Sequence, residues 1–256
     1  MRRRLPDAWR LSVGTLTAIP VKAPTRVDRD TAGLAMVLAP LAVVPLGVLV
    51  GLVLWGGRGL GLNPLITGLL GVGALALGSR AFHLDGLADT ADALTASYDR
   101  ERSLEVMKSG SAGPAGVAAL IVVLSVQAVG MAVVVTSGSG LALAGALVCF
   151  SRVALTITCA RGVPAARPDG LGATTAQSVP RPVAAMSWLA AAVASAAIVS
   201  YTGGPWWEVM IGFAVAAAVV GLLVHRAIRR LGGVTGDIHG AAIEITLAVL
   251  LVSATV

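Results

Sequence analysis

Apolar residues run in long stretches along the chain, and polar residues gather in the shorter segments between them. Seven stretches, approximately 32–54, 63–82, 115–135, 140–160, 183–202, 206–225 and 240–256, reach or approach the roughly 20 mostly apolar residues that a membrane-spanning helix needs. The pattern predicts an all-α, polytopic transmembrane bundle of about seven spans, read as a single integral-membrane domain over residues 1–256. Gly and Ala recur through the spans, where small side chains let helices approach closely in a solvent that provides no hydrophobic drive. The connections at 136–139 and 203–204 hold turn residues and no ionisable group, and read as hairpin links.

The N-terminal segment, residues 1–31, departs from that pattern. Arg2, Arg3 and Arg4 resemble the start of a signal peptide, but Asp7 and Arg10 interrupt what would be its apolar region, so no cleaved signal is expected. Leu5, Trp9, Val13 and Leu16 fall near one face at helical spacing, which predicts an amphipathic helix lying in the cytoplasmic interface.

Composition supports the membrane reading: 56% of residues are hydrophobic and 12% charged, too little polar surface to cover a soluble globule. Lys and Arg outnumber Asp and Glu by 19 to 13. In a soluble protein that excess would suggest a nucleic-acid partner; here it reads as a topology signal, and no nucleic acid is expected. Of the 19 basic residues, 18 fall in the N-terminal segment and in alternate connections, leaving Arg58 alone on the other side. The predicted topology is N-terminus in and C-terminus out, in the cytoplasmic (inner) membrane, with the chemistry on the cytoplasmic face. Cys149 and Cys159 lie ten apart in one apolar run and read as packing residues.

The most informative polar segment is 83–94, HLDGLADTADAL, directly after an apolar span and at the head of the main cytoplasmic segment, 83–114. At about 100° per residue, Asp85, Asp89 and Asp92 share a wedge of roughly 60° on a helix. Three carboxylates so close repel one another unless a cation lies between them, and hard oxygen ligands suit Mg²⁺, with Mn²⁺ possible. A helix that begins before His83 points this residue away from the aspartates. A hydrogen bond at the helix boundary, metal ligation and proton transfer are its open roles, and it is kept among the catalytic candidates. Downstream, 99–108 (DRERSLEVMK) predicts a surface helix with Asp99 as its N-cap. The glycines after Lys108 form a loop suited to a phosphate. Arg161 and Arg167, near Pro168, Asp169 and Gly170, offer guanidinium groups for phosphate oxygens or act only as topology signals. Segment 232–241, GGVTGDIHGA, sets Asp237 and His239 at the mouth of the last span, with Glu244 inside it.

These strings, together with LTAIPV near the N-terminus, YDRERSLEVMK and ARPDGLG, closely resemble the cobalamin synthase (adenosylcobinamide-GDP ribazoletransferase) family, in order over about residues 16–250. The resemblance implies that adenosylcobinamide-GDP and α-ribazole, or its 5′-phosphate, give adenosylcobalamin, or its 5′-phosphate, and GMP with Mg²⁺. It implies Asp85, Asp89 and Asp92 as metal ligands and Asp237 as a further ligand or base. Lys108, Arg152, Arg167, Thr235 and Gly236 are the implied contacts to substrate. The chain departs from the family pattern at Ser109, Gly110 and Ser111, so no charge role carries over there, and Leu247 means that Glu244 is not half of an acidic pair. A CDP-alcohol phosphotransferase would also place spaced aspartates at a helix end, but its DxxDG start is missing. An ion-coupled transporter would place its acids at midplane rather than at a boundary.

Overall fold

The computed structural model describes residues 4–136, 140–201 and 203–255. It is 77% helical, with no strand among the described residues. The helices are α1 (Arg4–Leu16), α2 (Arg29–Ala42), α3 (Val44–Gly59), α4 (Pro64–Gly78), α5 (Phe82–Ala96), α6 (Arg100–Val106), α7 (Pro114–Val134), α8 (Gly140–Phe150), α9 (Ala154–Thr158), α10 (Gly170–Thr175), α11 (Arg181–Tyr201), α12 (Trp206–Leu231) and α13 (Gly236–Ser253).

The chain is an all-α, multi-pass membrane protein. Five helical stretches are long and apolar enough to cross a bilayer: Arg29–Gly59, Pro114–Val134, Arg181–Tyr201, Trp206–Leu231 and Gly236–Ser253. The other two of the seven expected spans take different forms. The stretch at 63–82 becomes α4, of 15 residues, and turns by 94° into α5; the bent pair counts as a sixth span only if taken as one. The stretch at 140–160 is interrupted by a 3₁₀ turn at Ser151–Val153, so that Ala142–Thr158 is shorter than a full span.

Local sequence explains the main breaks. Asp28 caps α2 by accepting the Thr31 N–H at 2.8 Å. Pro40 lies inside α2 and Pro45 in the first turn of α3, and the apolar run breaks between them at Val43. Small residues then bring helices into backbone contact: a methyl group on Gly47 would lie 2.5 Å from the Gly145 carbonyl oxygen, so α3 and α8 touch where neither has a side chain.

The predicted N-terminal helix forms, but its apolar residues divide. Val13 and Leu16 are buried, whereas Leu5 and Trp9 are exposed at 53% and 42%. Buried Asp7 anchors the return of the chain, its two oxygens accepting the Thr25 N–H at 2.9 Å and the Thr25 hydroxyl at 2.6 Å. Those bonds hold its carboxyl below the usual carboxylate range.

Polar loops meet at one end of the bundle. There the start of α2 rests on the Ser178 carbonyl, Arg230 at the end of α12 donates to the Ser97 carbonyl, and Thr175 reaches His239 in the first turn of α13. At the opposite end Arg58 of α3 donates to the Val135 carbonyl beyond α7. The expected link at 136–139 lies almost wholly outside the described residues, as do Arg2 and Arg3.

Candidate active site

The geometry begins with the turn between α4 and α5. Arg80 and Ala81 adopt left-handed backbone, with φ of 59° and 54°, a conformation that costs about 1 kcal/mol or more for a residue with a Cβ. Two bonds from the N-terminal segment hold it: Arg80 donates to the Gly14 carbonyl, and the Ala18 N–H to the Gly78 carbonyl, both at 2.6 Å. The chain thereby leaves the direction of α4, and α5 lies across α13.

The two helices cross at glycines. A methyl on Gly86 would stand 2.8 Å from the Asp237 carbonyl oxygen, and one on Gly240 would stand 3.1 Å from the His83 Cα. This backbone approach brings the acidic motif of α5 to the first turn of α13. The charges around Asp89 are the carboxylates of Asp85, Asp237 and Asp92 and the guanidinium of Arg167. Asp85 is exposed and Asp237 half-buried, while Asp89 keeps 7% of its surface.

Asp92 has a further task. One of its oxygens accepts the Gly113 N–H at 2.6 Å and the other the Gly116 N–H at 2.8 Å, so the carboxylate satisfies free amides at the start of α7 and pins that helix to α5. Among the described residues no three His, Cys, Asp or Glu side chains converge on one metal-sized point.

Beside the aspartates lies a cleft of about 210 Å³, lined by Phe82, Arg167, Asp169, the loop from Gly170 to Gly172, and Val234, Thr235, Gly236 and Asp237. Thr235 is the N-cap of α13, and its hydroxyl donates to Asp237 Oδ2 at 3.0 Å. The cleft walls are tied together. The Ala166 N–H donates to the Val234 carbonyl and the Val234 N–H to the Pro164 carbonyl, each at 2.9 Å. Arg100 donates to the Leu231 carbonyl at 2.8 Å and the Ala166 carbonyl at 2.9 Å. Arg167 donates to the Leu104 carbonyl at 2.9 Å. Asp99 caps α6 as expected, accepting the Arg102 N–H at 2.8 Å.

The structure thus gathers Asp85, Asp89, Asp237, Thr235, Gly236 and Arg167, and places three other candidates elsewhere. Lys108 is exposed just beyond α6 and does not line the cleft. Arg152 is fully buried, donating to the Val148 carbonyl at 2.6 Å and the Ser151 hydroxyl at 2.9 Å. In this position its charge interacts with that of Glu244, although the two form no ion pair among the described residues. His83 lies inside the helix and points away from the aspartates into the core, where its Nδ1 is 3.8 Å from Glu244 Oε1. Glu244 Oε2 also accepts from the Gln127 side chain at 2.7 Å. Sequence reasoning did not single out Arg100 or Gln127. Arg100 lies within the YDRERSLEVMK string, whereas a lone Gln in an apolar run carries no positional signal.

The arrangement is a carboxylate-rich patch with one arginine beside a polar cleft, suited to holding a cation against a phosphate-bearing substrate. Similar known proteins identify the family. A family model described as cobalamin-5-phosphate synthase matches residues 8–255. A Nocardioides protein named adenosylcobinamide-GDP ribazoletransferase is 55% identical over 96% of this chain and 97% of its own length. Proteins of the same name from Frankia casuarinae and Pseudomonas paraeruginosa are 38% and 34% identical, covering 92% and 93% of the chain and 90% and 93% of their own lengths. No solved structure matches. With a match this long and relatives this similar, the chain belongs to the cobalamin-5-phosphate synthase family.

Proposed function

We propose that the chain joins adenosylcobinamide-GDP to α-ribazole, releasing GMP and forming adenosylcobalamin, in the cytoplasmic membrane with the cleft facing the cytoplasm. The observation that carries the reading is the meeting of Asp85, Asp89, Asp237 and Arg167 beside one polar cleft, in a chain whose relatives bear the transferase name. The gathering of basic residues at that end of the bundle supports the cytoplasmic orientation.

In the reaction a ribose hydroxyl oxygen of α-ribazole forms a bond to the cobinamide-bearing phosphorus. The pyrophosphate bridge breaks, its bridging oxygen leaves with GMP, and the hydroxyl proton passes to a base. Asp237 is our choice of base, because it stands in the cleft wall with its carboxylate oriented by the Thr235 hydroxyl. Arg167 faces the phosphates and offsets the charge of the departing GMP.

The donor set suits Mg²⁺, which is commonly held by one or two carboxylates together with substrate phosphates rather than by a complete protein cage. Asp85 and Asp89 would hold the ion together with substrate phosphate oxygens, which leaves the Asp237 carboxylate free to act as the base. When bound, the ion supplies neutralisation of the pyrophosphate oxygens. Asp92 supports the site by fixing α7 against α5.

The test is GMP release by the purified chain in liposomes, given adenosylcobinamide-GDP and either α-ribazole or its 5′-phosphate. Mg²⁺-dependent GMP with a corrinoid product is expected, and the preferred acceptor is read from the two rates. No GMP with either acceptor, in Mg²⁺ or Mn²⁺, overturns the proposal.

A further inference from the structure

Arg161 and Arg167 lie in one short segment, yet the structure sends them to different places. Arg167 enters the cleft beside the aspartates. Arg161 instead meets Arg181, the first residue of α11, in a separate open surface groove of about 390 Å³ formed with Gly162, Pro180 and Pro182. The reaction proposed above uses neither Arg161 nor Arg181.

Arginines at a membrane boundary often serve orientation alone, and such residues need no fixed geometry. This pair is held. The Arg161 N–H donates to the Val179 carbonyl at 2.8 Å and the Val179 N–H to the Cys159 carbonyl at 3.0 Å, locking the two segments side by side. Arg181 Nε donates to the Arg161 carbonyl at 2.9 Å. Gly162 has a φ of 96°, a backbone conformation that favours glycine, and the Arg181 guanidinium lies against it. Both arginines are exposed, and among the described residues neither forms an ion pair with a carboxylate. A fixed, unneutralised guanidinium fork beside a second arginine is a receptor for phosphate oxygens.

The surroundings indicate which phosphate. α11 enters its apolar stretch directly from Arg181, and Met186, Leu189 and Val193 on its flank are exposed at 69%, 59% and 53%. A free anion would use the arginines and leave that flank unused, whereas a phospholipid would use both. We propose that Arg161 and Arg181 form a binding site for the phosphate headgroup of an anionic phospholipid, whose acyl chains lie along α11.

The experiment is native mass spectrometry of the purified full chain equilibrated with phosphatidylglycerol and phosphatidylcholine of matched acyl chains. Wild type is expected to retain phosphatidylglycerol in preference by roughly tenfold or more, given the attraction of a basic side chain to an anionic headgroup. R161Q/R181Q should bring the preference close to parity. R226Q/R229Q, which removes two exposed arginines at the end of α12, should keep it. If R161Q/R181Q does not elute as a folded protein, Arg181→Lys retains the charge but not the planar fork, and should weaken the preference part of the way. The proposal is overturned by no preference in wild type, by an equal loss in both double variants, or by full preference in R161Q/R181Q. Binding of inorganic phosphate that depends on Arg161 and Arg181, without any lipid preference, would assign the groove to a free anion and likewise overturn it.

Discussion

α5 and α13 each carry ionisable residues in two different surroundings. At the open end of their crossing, Asp85, Asp89 and Asp237 stand together with Arg167 beside a polar cleft. On the inward side of the crossing, His83 and Glu244 from the same helices are buried, as are Gln127 and Arg152. The outer set is acidic, with three carboxylates to one arginine. The inner set is mixed, with Arg152 beside Glu244 and Gln127 bonded to it. Charge that a substrate can reach is available for chemistry, whereas charges of opposite sign sealed in a bundle bear on how helices meet.

The largest effect that tests this contrast is on turnover. Asp85→Asn and Asp89→Asn should each lower GMP release by roughly a thousandfold, about 4 kcal/mol of transition-state stabilisation, while the protein elutes and melts as wild type. Either variant working at near-normal rate would break the assignment of the outer set.

The inner set should respond in stability. Arg152→Met strips Glu244 of its facing charge and should cost about 3 kcal/mol, read as a lower melting temperature in detergent. Adding Glu244→Gln should recover most of that loss, since no unpaired charge then remains. An undisturbed Arg152→Met protein would show that the inner charges are not coupled.

Asp92 belongs between the two sets, and Asp92→Ala should cost about 2 kcal/mol by freeing the Gly113 and Gly116 amides. Hydrogen exchange localised to the start of α7 would reveal it. Exchange unchanged there would return Asp92 to the outer set.

The smallest effect lies at Asp7, remote from both. Its carboxyl is held below the usual range by Thr25, so its contribution is complete above the ordinary carboxylate value near pH 4 and fades as pH falls through the lowered one. Protease sensitivity between α1 and α2 should therefore rise on acidification in wild type. In Asp7→Asn it should already be raised at neutral pH and change less.

The helices and the acidic face were legible in the sequence because both follow from periodicity: apolar runs mark spans, and a spacing of four then three puts Asp85, Asp89 and Asp92 on one side of α5. What periodicity could not show is the direction a helix takes. The turn at Arg80 and Ala81 uses left-handed backbone at residues that give no sign of it, and it decides that α5 lies across α13 instead of continuing α4. The fate of Arg152 was hidden for a related reason. The family resemblance implies Arg152 as a contact to substrate, yet the 3₁₀ turn at Ser151–Val153 is buried in the bundle and packs on α13. Likewise Asp92 shares a face with Asp85 and Asp89, but only tertiary packing brings the α7 amides to it.

The most direct test is Mn²⁺ binding followed by electron paramagnetic resonance in the presence of adenosylcobinamide-GDP, comparing wild type, D85N/D89N and His83→Gln. Wild type and His83→Gln should bind the ion alike, and D85N/D89N should lose it. Equal binding by D85N/D89N, or loss of the ion in His83→Gln alone, would contradict the division of the crossing into an outer chemical set and an inner structural one.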